Sequence, residues 1–205
     1  MTPAPNAALH DAYAADYDGQ AQAYECYIGD LLFGLCYEFV RPGQRLLDAG
    51  IGSGLSAQLF ARAGLEVHGM DFSPAMLAIC RSKEFAVALE LHDLTQTPWP
   101  YLSAHFDHLV CCGVLHFIPE LEGIFGEAER MLAAGGVFAF TTRQPTGPAG
   151  PPAPFERRTI GEFEIFSHAL AYVEALLAQH SFTVLKAQRC FVGDDVFLLW
   201  VAGRQ

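Results

Sequence analysis

Arg45-Leu46-Leu47-Asp48-Ala49-Gly50-Ile51-Gly52-Ser53-Gly54, followed by a helical pattern from Leu55 to Arg62, is the stretch around which the chain is organised. An apolar run ending in an acid, then glycines at alternate positions, then helical periodicity reads as strand, tight turn and helix. Glycine is needed where the backbone takes positive φ or comes within contact distance of a ligand. Side chains at Gly50, Gly52 or Gly54 are therefore expected to fill ligand space. The stretch reads as a cofactor-binding loop.

Downstream the pattern repeats. Glu66 to Asp71 is a second strand ending in an acid, and Ser73-Pro74 opens a helix, Ser73 as N-cap and Pro74 where its missing N–H costs nothing. Ala86 to Leu91 is a third strand before His92-Asp93-Leu94. Phe106 to Gly113 is a fourth, leading through Val114-Leu115-His116-Phe117 to a helix from Pro119 to Ala134 that Gly135-Gly136 caps. Val137 to Thr142 is a fifth. Strands alternating with helices at this spacing give a parallel sheet with right-handed crossovers. Phe182 to Arg189 and Val196 to Ala202 flank the turn signal Gly193-Asp194-Asp195 and read as a hairpin. The expected fold is α/β, a doubly wound, mostly parallel seven-stranded sheet with an antiparallel last strand.

The flanks are less regular. Met1 to His10 reads as a loose tail and Ala12 to Val40 as aromatic-rich N-terminal helices, interrupted by Gly29 and Gly34 and ended by Arg41-Pro42-Gly43. Arg143 to Gly161 is rich in proline and glycine and is expected to form a lid loop at the carboxyl end of the sheet. Phe163 to His180 is expected to hold a final helix.

With 205 residues and a hydrophobic fraction of 52%, the chain suits one domain spanning residues 1–205, able to bury a core without disulfides or metal. No stretch reaches the length of uninterrupted apolar residues that a membrane span needs, and no export signal is recognisable at the N-terminus, so a cytoplasmic location is the default expectation. A formal charge of −11 argues against nucleic acid as a partner, since phosphate binding needs clustered Lys and Arg. Cys26, Cys36, Cys80, Cys111, Cys112 and Cys190 contain no CxxC pair and read as small buried hydrophobes. No spaced set of metal-binding residues emerges.

Two cofactor classes use a glycine loop after the first strand and an acid after the second. A dinucleotide fingerprint can be forced onto Gly52-Ser53-Gly54-Leu55-Ser56-Ala57, but it starts four residues past Asp48. A carboxylate at that strand end suits a ligand with an ammonium or sulfonium group better than a pyrophosphate. Asp71 can accept from both ribose hydroxyls of an adenosine, Phe72 and Met76 can face the adenine ring, and Asp93 with the Leu94 amide can hold its edge. Three acids at the ends of three successive strands, beside a glycine loop, point to one ligand.

LLDAGIGSG, GMDFSPAML, HDLTQTPWP, FDHLVCCGVLHFIPE and RMLAAGGVFAFTTR resemble the successive motifs of class I S-adenosylmethionine-dependent methyltransferases, over Arg45 to Arg143. The flanks AYAADYDGQAQAY and FSHALAYVEALLAQHSFTV are similar to those of bacterial methyltransferases found with TPR repeats and of Williams–Beuren-region methyltransferase-like proteins. The resemblance implies a Rossmann-like fold and S-adenosyl-L-methionine as cofactor. It implies that Asp48, Gly50, Gly52 and Gly54 line the methionine part, Asp71 the ribose, Phe72 and Met76 the adenine, and Asp93 and Leu94 its edge. Cys112 or Gly113 would face the methionine moiety, and Tyr13 or Tyr17 would cover it. By the same resemblance His116 is the candidate general base. Ile51 stands where many members have Cys or Ala. Strand four continues as Cys-Cys-Gly-Val-Leu-His, unlike the Asn/Asp-Pro-Pro-aromatic run of enzymes acting on bases or side-chain amides, which together with the acidic charge favours a small-molecule acceptor. A non-catalytic S-adenosylmethionine-binding regulator and an NAD-dependent oxidoreductase are the other readings.

Overall fold

The computed structural model describes residues 7–145 and 153–205. Its strands are β1 (Arg45–Ala49), β2 (Glu66–Asp71), β3 (Ala88–Leu91), β4 (Phe106–Cys111), β5 (Leu132–Arg143), β6 (Phe155–Ile160), β7 (Phe163–His168), β8 (Phe182–Val192) and β9 (Asp195–Arg204). Seven of them form one sheet in the order β3-β2-β1-β4-β5-β9-β8, while β6 and β7 pair separately. β1 to β5 run parallel, and β9 lies antiparallel between β5 and β8. The sheet is the mostly parallel, Rossmann-like one that the strand spacing predicts.

Helices cover both faces. α3 (Ile28–Cys36), α4 (Ala57–Arg62) and α5 (Pro74–Ser82) lie on one, α6 (Glu122–Met131) and α7 (Leu170–Gln179) on the other. Successive strand residues point to opposite faces, so a doubly covered sheet buries both. Leu47, Leu109, Cys111, Phe138 and Phe140 join the core under α6 and α7, whereas Leu46, Val110, Val137 and Ala139 join the one under α3 to α5. Cys111 and Cys112 divide between the two layers in the same way. All six cysteines are free thiols. No helix among the described residues is long and apolar enough to cross a membrane.

The structure departs from the sequence expectations at four places. Residues 1–6 lie outside the described part, but the stretch expected as a tail already contains the start of α1 (Ala7–Tyr13). The expected helical region is broken: α2 (Tyr17–Ala23) ends before Glu25, which takes a left-handed φ of 50°, and α3 begins only at Ile28. Gly135 and Gly136 do not cap α6, which ends when Leu132 turns extended. They lie in β5 where its register on β4 shifts, and a Cβ on Gly136 would sit 2.9 Å from the Ala133 carbonyl. Within the stretch expected as a loop, Phe155–Ile160 is a strand, and its partner Phe163–His168 opens the stretch expected to hold the final helix, which is confined to α7. Gly161, at φ +59°, with Glu162 makes the two-residue turn between them, a site for left-handed backbone that glycine takes without strain. Residues 146–152 of that expected lid lie outside the described part.

Candidate functional site

The carboxyl ends of β1, β2, β4 and β5 meet along one edge of the sheet. Asp48, in the central strand β1, is 1% exposed. Its Oδ2 accepts a long hydrogen bond of 3.3 Å from the Ser56 hydroxyl, and its Oδ1 has no partner among the described residues. Burial, reinforced by Asp71, pushes its pKa up to about 7 against the opposing Ser56 bond. A buried carboxylate with an idle oxygen calls for a donor, and a cationic one would favour its ionised form.

Asp71 at the end of β2 is held more fully. Its Oδ2 accepts from the Gly52 N–H at 2.8 Å and its Oδ1 from the Ser73 N–H at 2.9 Å. Burial raises its pKa while these amides and that of Phe72 oppose the rise. The carboxylate thus fixes the glycine loop to the start of α5, and its remaining lone pairs can still accept from hydroxyls. Ser73 accepts from the Met76 amide at 3.1 Å, the N-cap that the sequence predicts.

The glycines divide by role. A Cβ on Gly50 would lie 2.5 Å from a Val114 methyl, and one on Gly54 would lie 2.6 Å from the Phe85 ring and 2.9 Å from Cys80 Sγ. At these two positions the expectation of ligand space is replaced by protein packing. Only at Gly52, at φ +53°, does the added Cβ meet nothing within 4 Å. Gly52 therefore borders open space beside Asp71.

Of the other predicted residues, Phe72 and Met76 sit at the head of α5, and the Phe72 ring packs against His10 at 5.1 Å. Asp93 accepts from both the amide and the hydroxyl of Thr95 through Oδ1, an Asx turn, with buried Leu94 next to it. Cys112 is partly buried just after β4, and the Gly113 amide donates to Thr141 at 2.8 Å. Tyr17 as a residue is 40% exposed. Its hydroxyl end, near Cys112, Cys26 and Asp71, is held protonated by burial, with a pKa pushed up to about 12. Tyr13 instead packs on Phe163.

Three residues that sequence reasoning passes over fasten the N-terminal helices to this edge. Asp11 accepts from the Ser73 hydroxyl at 2.5 Å and the Ala75 amide at 3.3 Å. Asp18 accepts from the Ser53 hydroxyl and from Lys83, each at 2.5 Å. The His10 ring stands edge-on to Phe72, Phe117 and Phe163, and burial keeps it neutral by lowering its pKa. α1 and α2 thereby lie over the loop.

His116 is placed next door, in a cavity of about 220 Å³. Phe117, Phe197 and Phe163 wall it, with Arg143 at the end of β5 and Asp195 at the start of β9. The His116 ring lies 4.1 Å from that of Phe117 and 5.5 Å from that of Phe197. Burial and the Arg143 charge lower its pKa to about 3, so it is a neutral imidazole at physiological pH. Arg143 is another residue the sequence did not single out, because it reads as an ordinary strand-end arginine. His168, at the end of β7, belongs to the core: it is fully buried and bonds the carbonyl of Ile118 at 3.0 Å.

The arrangement can be set beside known proteins. Residues 47–140 match the methyltransferase domain family. The match spans the glycine loop, the strand-end acids and strands β1 to β4. The chain is also similar to part of a malonyl-[acyl-carrier protein] O-methyltransferase of Serratia marcescens, at 32% identity over 129 residues, 63% of this chain and 49% of that protein. A ubiquinone biosynthesis O-methyltransferase of Alkalilimnicola ehrlichii is 28% identical over 65% of this chain and 60% of its own length. The chain thus spans about half the length of these relatives. Among solved structures, a 1,6-didemethyltoxoflavin-N1-methyltransferase of Burkholderia thailandensis, with its namesake ligand and S-adenosylhomocysteine bound, superposes with a TM-score of 0.71 at 18% identity. That likeness covers 100% of this chain and 91% of that one, and establishes the shared fold.

Proposed function

We propose that the protein is an S-adenosylmethionine-dependent methyltransferase acting on a small-molecule acceptor. The observation that carries this reading is Asp48: a carboxylate buried beside the glycine loop, with one oxygen idle and a pKa near 7, suits the cationic amino-acid end of S-adenosylmethionine. The match of residues 47–140 to the methyltransferase domain family supports it. The two sequence relatives named above are O-methyltransferases whose names point to a malonyl group and to ubiquinone biosynthesis, which supports a small acceptor group here.

S-adenosylmethionine supplies, when bound, a methyl group activated by a sulfonium. The chain's own part is alignment and exclusion of water. Asp48 would receive the amino-acid end and Asp71 the ribose hydroxyls, while Gly52 leaves room for them. Phe72 and Met76 would flank the adenine, Asp93 and Leu94 hold its edge, and Tyr17 with α1 and α2 close the top. An acceptor atom would be held in line with that methyl group, and any proton it carries would have to be released as the methyl is transferred. His116, at a pKa of about 3, is too weak a base to drive that proton transfer, so we assign it a positioning role by hydrogen bonding. We also infer closer kinship to the TPR-associated and Williams–Beuren-region proteins from the two flanking segments; it specifies no acceptor.

Calorimetry with S-adenosylmethionine, S-adenosylhomocysteine and NAD tests the reading. Binding of both sulfur ligands with none of NAD is expected, and the reverse would overturn it. Asp71→Ala should lower affinity for S-adenosylhomocysteine at least tenfold, about 1.4 kcal/mol. Methyl transfer screened over metabolite pools then separates an enzyme from a binder.

A further inference from the structure

The cavity beside His116 has a definite chemistry, and it is built where the ends of two of the quoted motifs meet the β6–β7 hairpin and the start of β9. Its walls come from the turn after β4, the end of β5, the β6–β7 hairpin and the start of β9. Val114, one turn before the cavity, packs on Gly50, and His10 touches Phe72 on one side and Phe117 and Phe163 on the other. The cavity therefore neighbours the glycine-loop site, with the His10 ring packed between Phe72 and the walls Phe117 and Phe163.

Its polar groups are few. Arg143 is 3% exposed; one terminal nitrogen donates to the Ser167 hydroxyl at 3.0 Å and the other pairs with Asp195. Among the described residues its Nε has no partner, and neither does Nδ1 of His116. A buried guanidinium N–H left idle costs desolvation that a ligand oxygen would return. An anion gains little here, because Asp195 already balances the guanidinium and itself lines the cavity. His116 is neutral. The rest of the lining is apolar and largely aromatic, with the Phe117 and Phe163 rings 5.7 Å apart. Aromatic walls favour flat rings that stack or meet them edge-on.

We propose that this cavity is the acceptor site and that it selects an uncharged aromatic molecule of one or two rings bearing an oxygen substituent, which accepts from Arg143 Nε and pairs with His116 Nδ1. Arg143 is then the specificity-determining residue, and the β6–β7 hairpin, through Phe163, sets the plane of the ring. The methyl-donor reading is needed only for calling the occupant an acceptor; the binding class rests on the cavity itself.

The probes are 2-naphthol, its charged analogue 2-naphthoate and its saturated analogue decahydro-2-naphthol, titrated by calorimetry into protein with and without saturating S-adenosylhomocysteine. 2-Naphthol should bind at least tenfold more tightly than either analogue. Arg143→Lys keeps a cation for Asp195 but removes the guanidinium N–H, and Phe163→Ala removes one wall from the hairpin. Each should weaken 2-naphthol at least fivefold, and Arg143→Lys should do so while leaving S-adenosylhomocysteine affinity unchanged. Equal or tighter binding of 2-naphthoate overturns the uncharged class. Binding of decahydro-2-naphthol equal to that of 2-naphthol overturns the aromatic one. Wild-type affinity for 2-naphthol in both variants overturns the site. If S-adenosylhomocysteine binds and 2-naphthol does not, this proposal fails and the methyl-donor reading stands; if 2-naphthol binds and the sulfur ligand does not, the reverse holds.

Discussion

Asp48 carries two opposed demands, and the pH dependence separates them. Its pKa is about 7 in the folded protein and near 4 in an unfolded chain. Between these values the folded state keeps a proton that the unfolded state has released, so this group's contribution to stability is full below about pH 4 and lost as pH rises through about 7. Asp48→Asn should therefore raise the Tm of the ligand-free protein at pH 8 by several degrees, since 1 kcal/mol is worth about 2–4 °C in a domain of this size. At pH 4 the two proteins should melt alike. A cationic ligand reverses the preference, because it stabilises the ionised form. Affinity for S-adenosylmethionine in the wild type should fall by up to about tenfold per pH unit below 7, with a proton released on binding; calorimetry in buffers of different ionisation heat measures that proton. The glycines make a second contrast at this scale. Gly54→Ala meets Phe85 and Cys80 and should cost about 1–3 kcal/mol in a denaturant melt. Gly52→Ala meets no protein atom within 4 Å, so its main effect should be weaker cofactor binding. The sequence showed that glycines were needed at all three positions but not why, since Phe85 and Val114 reach them from 31 and 64 residues further along.

Among the elements, α6 bears a polar anchor that holds the segment between β3 and β4. Glu127 accepts from the Trp99 amide at 2.8 Å and from Arg130 Nε at 3.0 Å, and Arg130 donates onward to the carbonyls of Trp99 and Tyr101. Burial works against ionisation of Glu127, but Arg130 and the Trp99 amide outweigh it and hold its pKa below the ordinary carboxylate range. Its contribution is present above the unfolded pKa and lost as pH falls through the lower folded one. Glu127→Ala should destabilise by about 1–3 kcal/mol at pH 7 because a buried N–H loses its acceptor, and the deficit relative to wild type should shrink below pH 4 in urea titrations. The N-cap at Ser73 and the Asp93 turn were readable because they are local, fixed by residues three and two apart. The β6–β7 hairpin was not. Phe163 to His168 ends in four consecutive buried residues, so it lacks the polar-apolar alternation that marks a strand, and the prolines before Phe155 read as loop.

At the scale of the whole molecule the N-terminal helices are tied down by Asp11 and Asp18, whose partners Ser73 and Lys83 lie 62 and 65 residues away. No spacing rule reveals such a pair, so the sequence yielded N-terminal helices over residues 11–42 that cover the site, without the carboxylates that fasten them. Hydrogen exchange should report the fastening: amides of α1 and α2 should slow at least several-fold on adding S-adenosylhomocysteine, while those of α7 stay unchanged, and the double variant Asp11→Ala/Asp18→Ala should lose the difference. The position of β9 has a consequence of another kind. It pairs with β5 on one side and β8 on the other, so it fills the gap between strands made earlier. During synthesis on the ribosome, β8 has no neighbour to join until residues up to Arg204 have left the exit tunnel. Until then β5 presents the unpaired backbone groups of Val137 to Arg143 along an open margin to any passing strand. The nascent chain is thus most exposed to mispairing just before it is long enough to close the sheet, and chaperone demand should peak at that length.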